Sequence, residues 1–283
     1  MTSWAWCNGQ LCAENELRLP VRDEAVLYGA SLFESLRCYN GHPFRLEQHL
    51  QRLRRWMERL SLFARTRQMV AISTPAVRHA IANLLEANGL LEEDARLRIT
   101  VTAGSEQVAP SCFILAERIN PEQIAKWRTG VAAVLLPEPH GGAGEYPKWG
   151  SFAWHIEHLL RAKAHGADEA IWFNRNGCVT ESTVSNIFVW DHNQLLTPPV
   201  EDGILAGITR QIVIEIAQSL GFQCHEEHIP ASLLPSAQGV FLTNSVREIV
   251  PVIRLNDEPL EVPPIVTTLQ EAYRSLVQQA VAA

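Results

Sequence analysis

The chain has 283 residues, enough for two domains or one large one, and its 47% apolar and 19% charged residues are ordinary for a soluble globular protein. A net charge of −7, with no block of lysines and arginines, argues against nucleic acid or an anionic membrane as partner. The N-terminus lacks the layout of a signal peptide and no apolar run is long enough to span a bilayer, so the expected setting is cytoplasmic.

In chain order, residues 4–13 alternate weakly around Asn8-Gly9, a two-residue hairpin signal. Leu36–Tyr39 and Pro43–Leu46 flank Asn40-Gly41 and repeat that signal more strongly. From Glu47 the pattern turns helical: Leu50, Leu53, Trp56, Met57 and Leu60 share a face, with Arg52, Arg55 and Arg59 off it. Pro75–Asn88 reads as a second helix ended by Gly89, followed by strands over Leu97–Ala103 and Cys112–Ala116. These elements make a small N-terminal α+β domain over 1–119. The polar, Pro-containing stretch after it suggests a linker over 120–129, and a larger domain over 130–283 makes the whole chain α/β.

In the second domain, Gly130–Leu136 reads as a strand and residues 137–150 as a Gly- and Pro-rich loop long enough to carry function. Ser151 is placed to cap a helix running to His165. Short strands at hairpin spacing follow over Glu169–Phe173, Cys178–Glu181, Asn186–Trp190 and Gln194–Thr197. A helix over Ile208–Leu220, strands over Val240–Asn244 and Glu248–Ile253, and a closing helix over 264–280 complete the chain.

Six scattered cysteines (Cys7, Cys12, Cys38, Cys112, Cys178 and Cys224) form no CxxC pair, and neither they nor the ten histidines cluster at metal-ligand spacing. They read as buried thiols of a reducing compartment, and no metal site is expected. Lysine occurs only at 126, 148 and 163, so 21 of the 24 basic residues are arginine. Arginine stays protonated and cannot replace a lysine whose amine must attack a carbonyl. Lys148, between Pro147 and Trp149-Gly150, is therefore a chemical candidate, although its local context also suits a solvated loop lysine.

Gly207-Ile208-Thr209-Arg210 opens a helix, an N-terminus that suits a phosphate or a plain threonine-containing cap. Thr243-Asn244-Ser245 offers further donors or is simply a turn. On its own pattern Arg52 reads as a solvated charge and Glu181 equally as a turn residue. There is no GxSxG, GxGxxG or P-loop. One lysine, one carboxylate, one arginine and two hydroxyl-rich anion sites are what an aldehyde cofactor with a phosphate and a ring nitrogen needs.

Tyr28–Arg37, His49-Leu50-Gln51-Arg52-Leu53, Lys148, Asp168-Glu169-Ala170, Val179-Thr180-Glu181, Ser185–Phe188, Gly203–Arg210, Thr243-Asn244-Ser245 and Ile249–Val252 occur in the order in which they occur in a known family. Together they resemble the class IV (fold type IV) pyridoxal-phosphate enzymes. That family includes branched-chain and D-amino-acid aminotransferases and 4-amino-4-deoxychorismate lyase. The resemblance implies a D-amino-acid-aminotransferase-like fold of two domains with pyridoxal 5′-phosphate between them, the larger domain binding the cofactor, and a homodimer acting on a small amine substrate. It makes Lys148 the Schiff-base lysine and proton carrier, and Glu181 the partner of the pyridine nitrogen. Arg52, Ile208, Thr209 and Ser245 become phosphate contacts, with Tyr28 and Arg98 on the substrate side. Ser151 stands where many members carry Asn.

Two features lean towards the lyase. Ser35, after Phe33-Glu34, carries a hydroxyl where branched-chain aminotransferases usually have Gly and the lyases Thr, whose hydroxyl is implicated in proton transfer to the leaving group. Thr243–Arg247 also leans to the lyases, whereas Tyr28-Gly29-Ala30-Ser31 is closer to the branched-chain pattern. The expectation is a lyase releasing 4-aminobenzoate and pyruvate, with aminotransfer as the alternative and Ser35 as plain packing if that holds. A cofactor carrier without turnover would not need the carboxylate at Glu181.

Overall fold

The computed structural model describes residues 3–64, 72–136 and 144–282. Contacts divide the chain into two compact units, one of residues 1–120, 147–152 and 280–283, the other of 121–146 and 153–279.

The first unit contains β1 (Trp4–Cys7), β2 (Gln10–Ala13), α1 (Glu24–Tyr28), β3 (Ser31–Tyr39), β4 (His42–Pro43), α2 (Leu46–Arg59), α3 (Ser61–Ala64), α4 (Thr74–Ala87), β5 (Ala95–Thr102) and β6 (Cys112–Arg118). Its strands form one antiparallel sheet in the order β2-β1-β6-β5-β3-β4. Asn8-Gly9 and Asn40-Gly41 make the expected hairpin turns, all four residues at positive φ. Leu50, Leu53, Trp56 and Met57 of α2 join Val77, Ile81, Leu84 and Leu85 of α4 in a core with Leu36, Leu97 and Ile99 of the sheet. α1 is too short to leave a periodic signal. Asp23 fixes its start, accepting from the Ala25 N–H at 2.9 Å with one carboxylate oxygen and from the Thr102 hydroxyl at 2.6 Å with the other.

The expected linker over 120–129 is instead helix α5 (Pro121–Thr129), within the second unit. Its proline occupies the first helical position, where the missing N–H has no intrahelical partner to lose. There follow β7 (Val131–Leu135), α6 (Ala153–Ala164), β8 (Glu169–Phe173), β9 (Val179–Ser182), β10 (Asn186–Asp191), β11 (Gln194–Thr197), α7 (Ile208–Ser219), β12 (Gln223–Glu226), β13 (Gly239–Asn244), β14 (Glu248–Leu255), β15 (Glu258–Pro259) and α8 (Pro264–Ala282). α6 begins two residues after Ser151, which leaves that serine outside the helix.

Eight strands run in the order β12-β11-β10-β13-β14-β7-β8-β9, with β15 beside β14. β9 also pairs with β10 through Glu181 and Asn186, which closes β10-β13-β14-β7-β8-β9 into a ring. Ile171, Val179, Ile187, Val189, Leu242 and Val252 fill the apolar core of this unit. Residues 137–143 of the expected functional loop lie outside the described residues. No helix among the described residues is long and apolar enough to cross a membrane. All six cysteines are free, but only Cys38 and Cys112 are buried; the other four are half-exposed, contrary to the expectation.

Candidate active site

In the first unit, residues 148–150 extend the sheet along the edge of β3. The Phe33 N–H donates to the Lys148 carbonyl at 3.0 Å and the Gly150 N–H to the Ser31 carbonyl at 2.6 Å, with Leu32 bridged to Trp149. A Cβ on Gly150 would run into the Ser31 hydroxyl, so glycine is what permits this approach. The backbone pairing fixes where Lys148 leaves the sheet. Its Nζ lies 4.9 Å from the centre of the Phe33 ring, and the Arg98 guanidinium lies 3.6 Å from the same centre. Phe152 meets that ring edge-on at 5.5 Å. Ser35 follows Phe33 on the same face of β3 and pairs with Arg98 across the sheet. Burial, then the neighbouring charge of Arg96, takes Arg98 down to about 10 against the pull of Glu117, which leaves it cationic at neutral pH.

Arg52 corrects the sequence reading. It is 9% exposed, and it is engaged rather than solvated. Its Nε donates to Glu34 Oε1 at 2.8 Å and its Nη2 to Glu34 Oε2 at 2.6 Å, while His49 Nδ1 lies 2.7 Å from Oε2. Burial alone would raise the Glu34 carboxyl, but Arg52 and His49 outweigh it and bring it down to about 2. Burial lowers the His49 imidazole, helped by the charges of Arg52 and Lys148 and opposed by Glu34. A neutral imidazole must therefore donate Nδ1–H to a carboxylate that only accepts.

In the second unit, Glu181 sits at the ring-closing pair of β9 and β10 and is buried. The Tyr146 hydroxyl donates to its Oε1, while Asn186 Nδ2 at 3.2 Å and the Leu205 N–H at 3.1 Å donate to Oε2. Asn186 also donates to the Leu205 carbonyl at 2.8 Å, tying the segment before α7 to the strand pair. α7 begins at Ile208 after Gly207, with no side chain capping its first turn. A Cβ on Gly207 would run into the Asn186 carboxamide oxygen. The buried Thr209 hydroxyl donates to Ser245 Oγ at 3.3 Å, so the helix start and the turn after β13 carry adjacent hydroxyls. Such an end directs N–H groups and a positive dipole at an anion.

The fold thus gathers Lys148, Arg98 and Ser35 around Phe33, sets Arg52 on Glu34 and His49, and brings Thr209, Ile208 and Ser245 to the start of α7. Tyr28 closes α1 with 76% of its surface exposed and is not buried with these groups. Sequence reasoning gave no role to Glu34, His49, Tyr146 or Asn186. Two signals were present: a glutamate between Leu32 and Leu36 on one face of β3, and His49 one helical turn before Arg52 on the same helix face. Cys178, Asp202 and His228, far apart in the sequence, meet in the second unit.

The amino-transferase class IV family model matches residues 31–255. The chain belongs to this family of pyridoxal-phosphate-dependent enzymes. Among curated class IV relatives, aminodeoxychorismate lyase of Bacillus subtilis is 28% identical over 268 residues, covering 89% of this chain and 86% of the relative. A putative branched-chain-amino-acid aminotransferase of Methanocaldococcus jannaschii is 27% identical over 285 residues, covering 96% and 95%. A crystal structure of branched-chain aminotransferase from Thermoproteus uzoniensis with norvaline superposes with a TM-score of 0.86 at 29% identity, covering 99% of this chain and 96% of that one. The fold is thus the mixed α/β fold type IV of the class. Branched-chain names outnumber the lyase name among the relatives. The residues present fit the class cofactor: an uncapped helix start with paired hydroxyls suits its phosphate, and a buried carboxylate held by three donors suits a protonated ring nitrogen.

Proposed function

We propose that the chain is a homodimeric pyridoxal-phosphate-dependent lyase that splits 4-amino-4-deoxychorismate into 4-aminobenzoate and pyruvate. The observation that carries this reading is Ser35, on the β3 face that presents the Phe33 ring to Lys148, where it puts a hydroxyl on the lysine's side of the sheet. The Bacillus subtilis relative named for this activity supports it.

When bound, pyridoxal phosphate supplies the aldehyde that takes up an amine and the protonated ring that accepts an electron pair. Lys148 Nζ would hold that aldehyde and is the amine that would take the proton from the substrate carbon bearing nitrogen. Glu181, oriented by Tyr146, Asn186 and the Leu205 N–H, keeps the ring nitrogen protonated. Thr209, Ser245 and the first N–H groups of α7 bind the phosphate, with Arg52 as its cationic partner. Arg98 offers a cation to a substrate carboxylate. Ser35 passes a proton to the departing enolpyruvyl oxygen, and tautomerisation of that fragment gives pyruvate.

Aminotransfer to a 2-oxo acid is the second reading, favoured by the TM-score of 0.86 to a branched-chain enzyme and by the commoner name among relatives. A paired assay separates the two. One arm supplies 4-amino-4-deoxychorismate and follows 4-aminobenzoate; the other supplies L- and D-amino acids with 2-oxoglutarate or pyruvate, with Lys148→Ala as control. Aminobenzoate formation that needs Lys148 and drops by about 10²-fold or more in Ser35→Ala is the expected result. Keto-acid formation alone would replace the lyase reading with the aminotransferase one.

A further inference from the structure

We propose that Cys178, Asp202 and His228 form a binding site for a divalent metal ion of the zinc type, built from residues that have no part in the reaction above. The Cys178 sulfur, a carboxylate oxygen of Asp202 and a ring nitrogen of His228 all lie within 4.8 Å of one another. They come from three segments: the turn between β8 and β9, the 3₁₀ turn Val200–Asp202 after β11, and the stretch after β12. His228 Nδ1 stands 2.9 and 3.0 Å from the two Asp202 oxygens, close to the ligand–ligand edge of roughly 3.3 Å in a tetrahedron with bonds of about 2.0 Å.

The surrounding hydrogen bonds hold the donors in place. Asn174 Nδ2 donates to Asp202 Oδ1 at 3.0 Å, while Asn174 Oδ1 accepts from the Cys178 N–H at 3.1 Å and the Asn176 N–H at 3.0 Å. One carboxamide therefore orients two of the three donors, as partners behind metal ligands do. A backbone bridge between Cys178 and Pro230 fixes the third segment beside the first. Asp202 is 4% exposed and His228 is 67% exposed, so the cluster has a buried base and a side open to solvent. Sulfur, nitrogen and oxygen donors together favour zinc or cobalt over magnesium or calcium, and three protein ligands leave a fourth position for water. Burial and then Asp202 hold the Cys178 thiol protonated; the arriving ion takes the thiolate and the proton leaves to solvent.

The test is a Co²⁺ titration of the full-length, cofactor-loaded protein after chelator treatment, read as difference spectra. The expected result is one equivalent per chain, with a thiolate-to-cobalt charge-transfer band and the strong visible bands of a four-coordinate ion, all displaced by Zn²⁺. Cys178→Ser removes the charge-transfer band. Exposed His228 offers a variant that folds, and His228→Gln weakens binding about tenfold or more. Asn174→Ala keeps the band and weakens binding by about 10- to 100-fold. A titration without the charge-transfer band, or one unchanged in both Cys178→Ser and His228→Gln, would overturn the site and leave a hydrogen-bonded cluster. Turnover is not the readout, so either result is independent of which reaction the chain catalyses.

Discussion

A buried guanidinium and a buried carboxylate persist only as a pair, because each alone would carry an uncompensated charge. Arg52 and Glu34 meet that condition with two hydrogen bonds and His49 as a further partner. Glu34→Gln is expected to destabilise the protein by about 3–5 kcal/mol, read from urea unfolding with the slope unchanged. The pH dependence has a definite sign. Glu34 ionises more readily in the folded chain than at its ordinary value of 4.5, so its contribution is complete above about 4.5 and is lost as pH falls toward 2. His49 is likewise lowered from 6.5, so the folded form resists protonation and stability declines once pH drops below that value. Unfolding midpoints measured against pH should fall on acidification from about 6.5 downward. The upper part of the fall should flatten in His49→Asn and the lower part in Glu34→Gln; coincident curves for all three proteins would remove the cluster as the acid-sensitive element.

Among elements, the start of α7 concentrates the most consequences. Gly207 has no room for a Cβ against Asn186, and Asn186 holds both Glu181 and the Leu205 carbonyl. Gly207→Ala should therefore disturb the helix start and the carboxylate together. Thr209→Ala and Ser245→Ala should weaken pyridoxal-phosphate binding by about 10- to 100-fold each, from the loss of a hydrogen bond to a charged group, as followed by cofactor absorbance. Unaltered affinity in both would displace the phosphate from this end. α7 was legible from its opening at Gly207-Ile208-Thr209-Arg210, and β8 to β11 were legible from their hairpin spacing. β12 was not: Gln-Cys-His-Glu on an edge strand is mostly exposed and shows no apolar alternation. α5 was missed because Pro121 and its polar neighbours read as a linker, though proline suits a helix start. Within the site, residue type made Lys148 conspicuous. Periodicity misread Arg52, since helical phase cannot register a carboxylate eighteen positions upstream on another element. Cys178, Asp202 and His228 stayed hidden for the same reason, being separated by dozens of residues that only β-sheet topology brings together.

At the scale of the whole molecule, each unit has its own apolar core, yet large apolar side chains remain outside both. Val26, Leu27 and Tyr28 on α1 are exposed, as are Trp154, Ile156 and Leu160 on α6. Scattered apolar residues are ordinary on a surface, but two helices that each present three within seven positions are more readily explained by a partner surface. A second copy of the chain is the partner the proposed homodimer supplies. Sedimentation equilibrium should then give twice the 31.6 kDa chain mass. Replacing Trp154 and Leu160 together by glutamate would bury two charges in such an interface, an expense that should shift the protein to monomer at micromolar concentration. Circular dichroism of the variant should stay unchanged, because both side chains already face solvent in the single chain. If the unsubstituted protein sediments as a monomer with cofactor bound, the homodimer is withdrawn and both helices must be explained without a second copy.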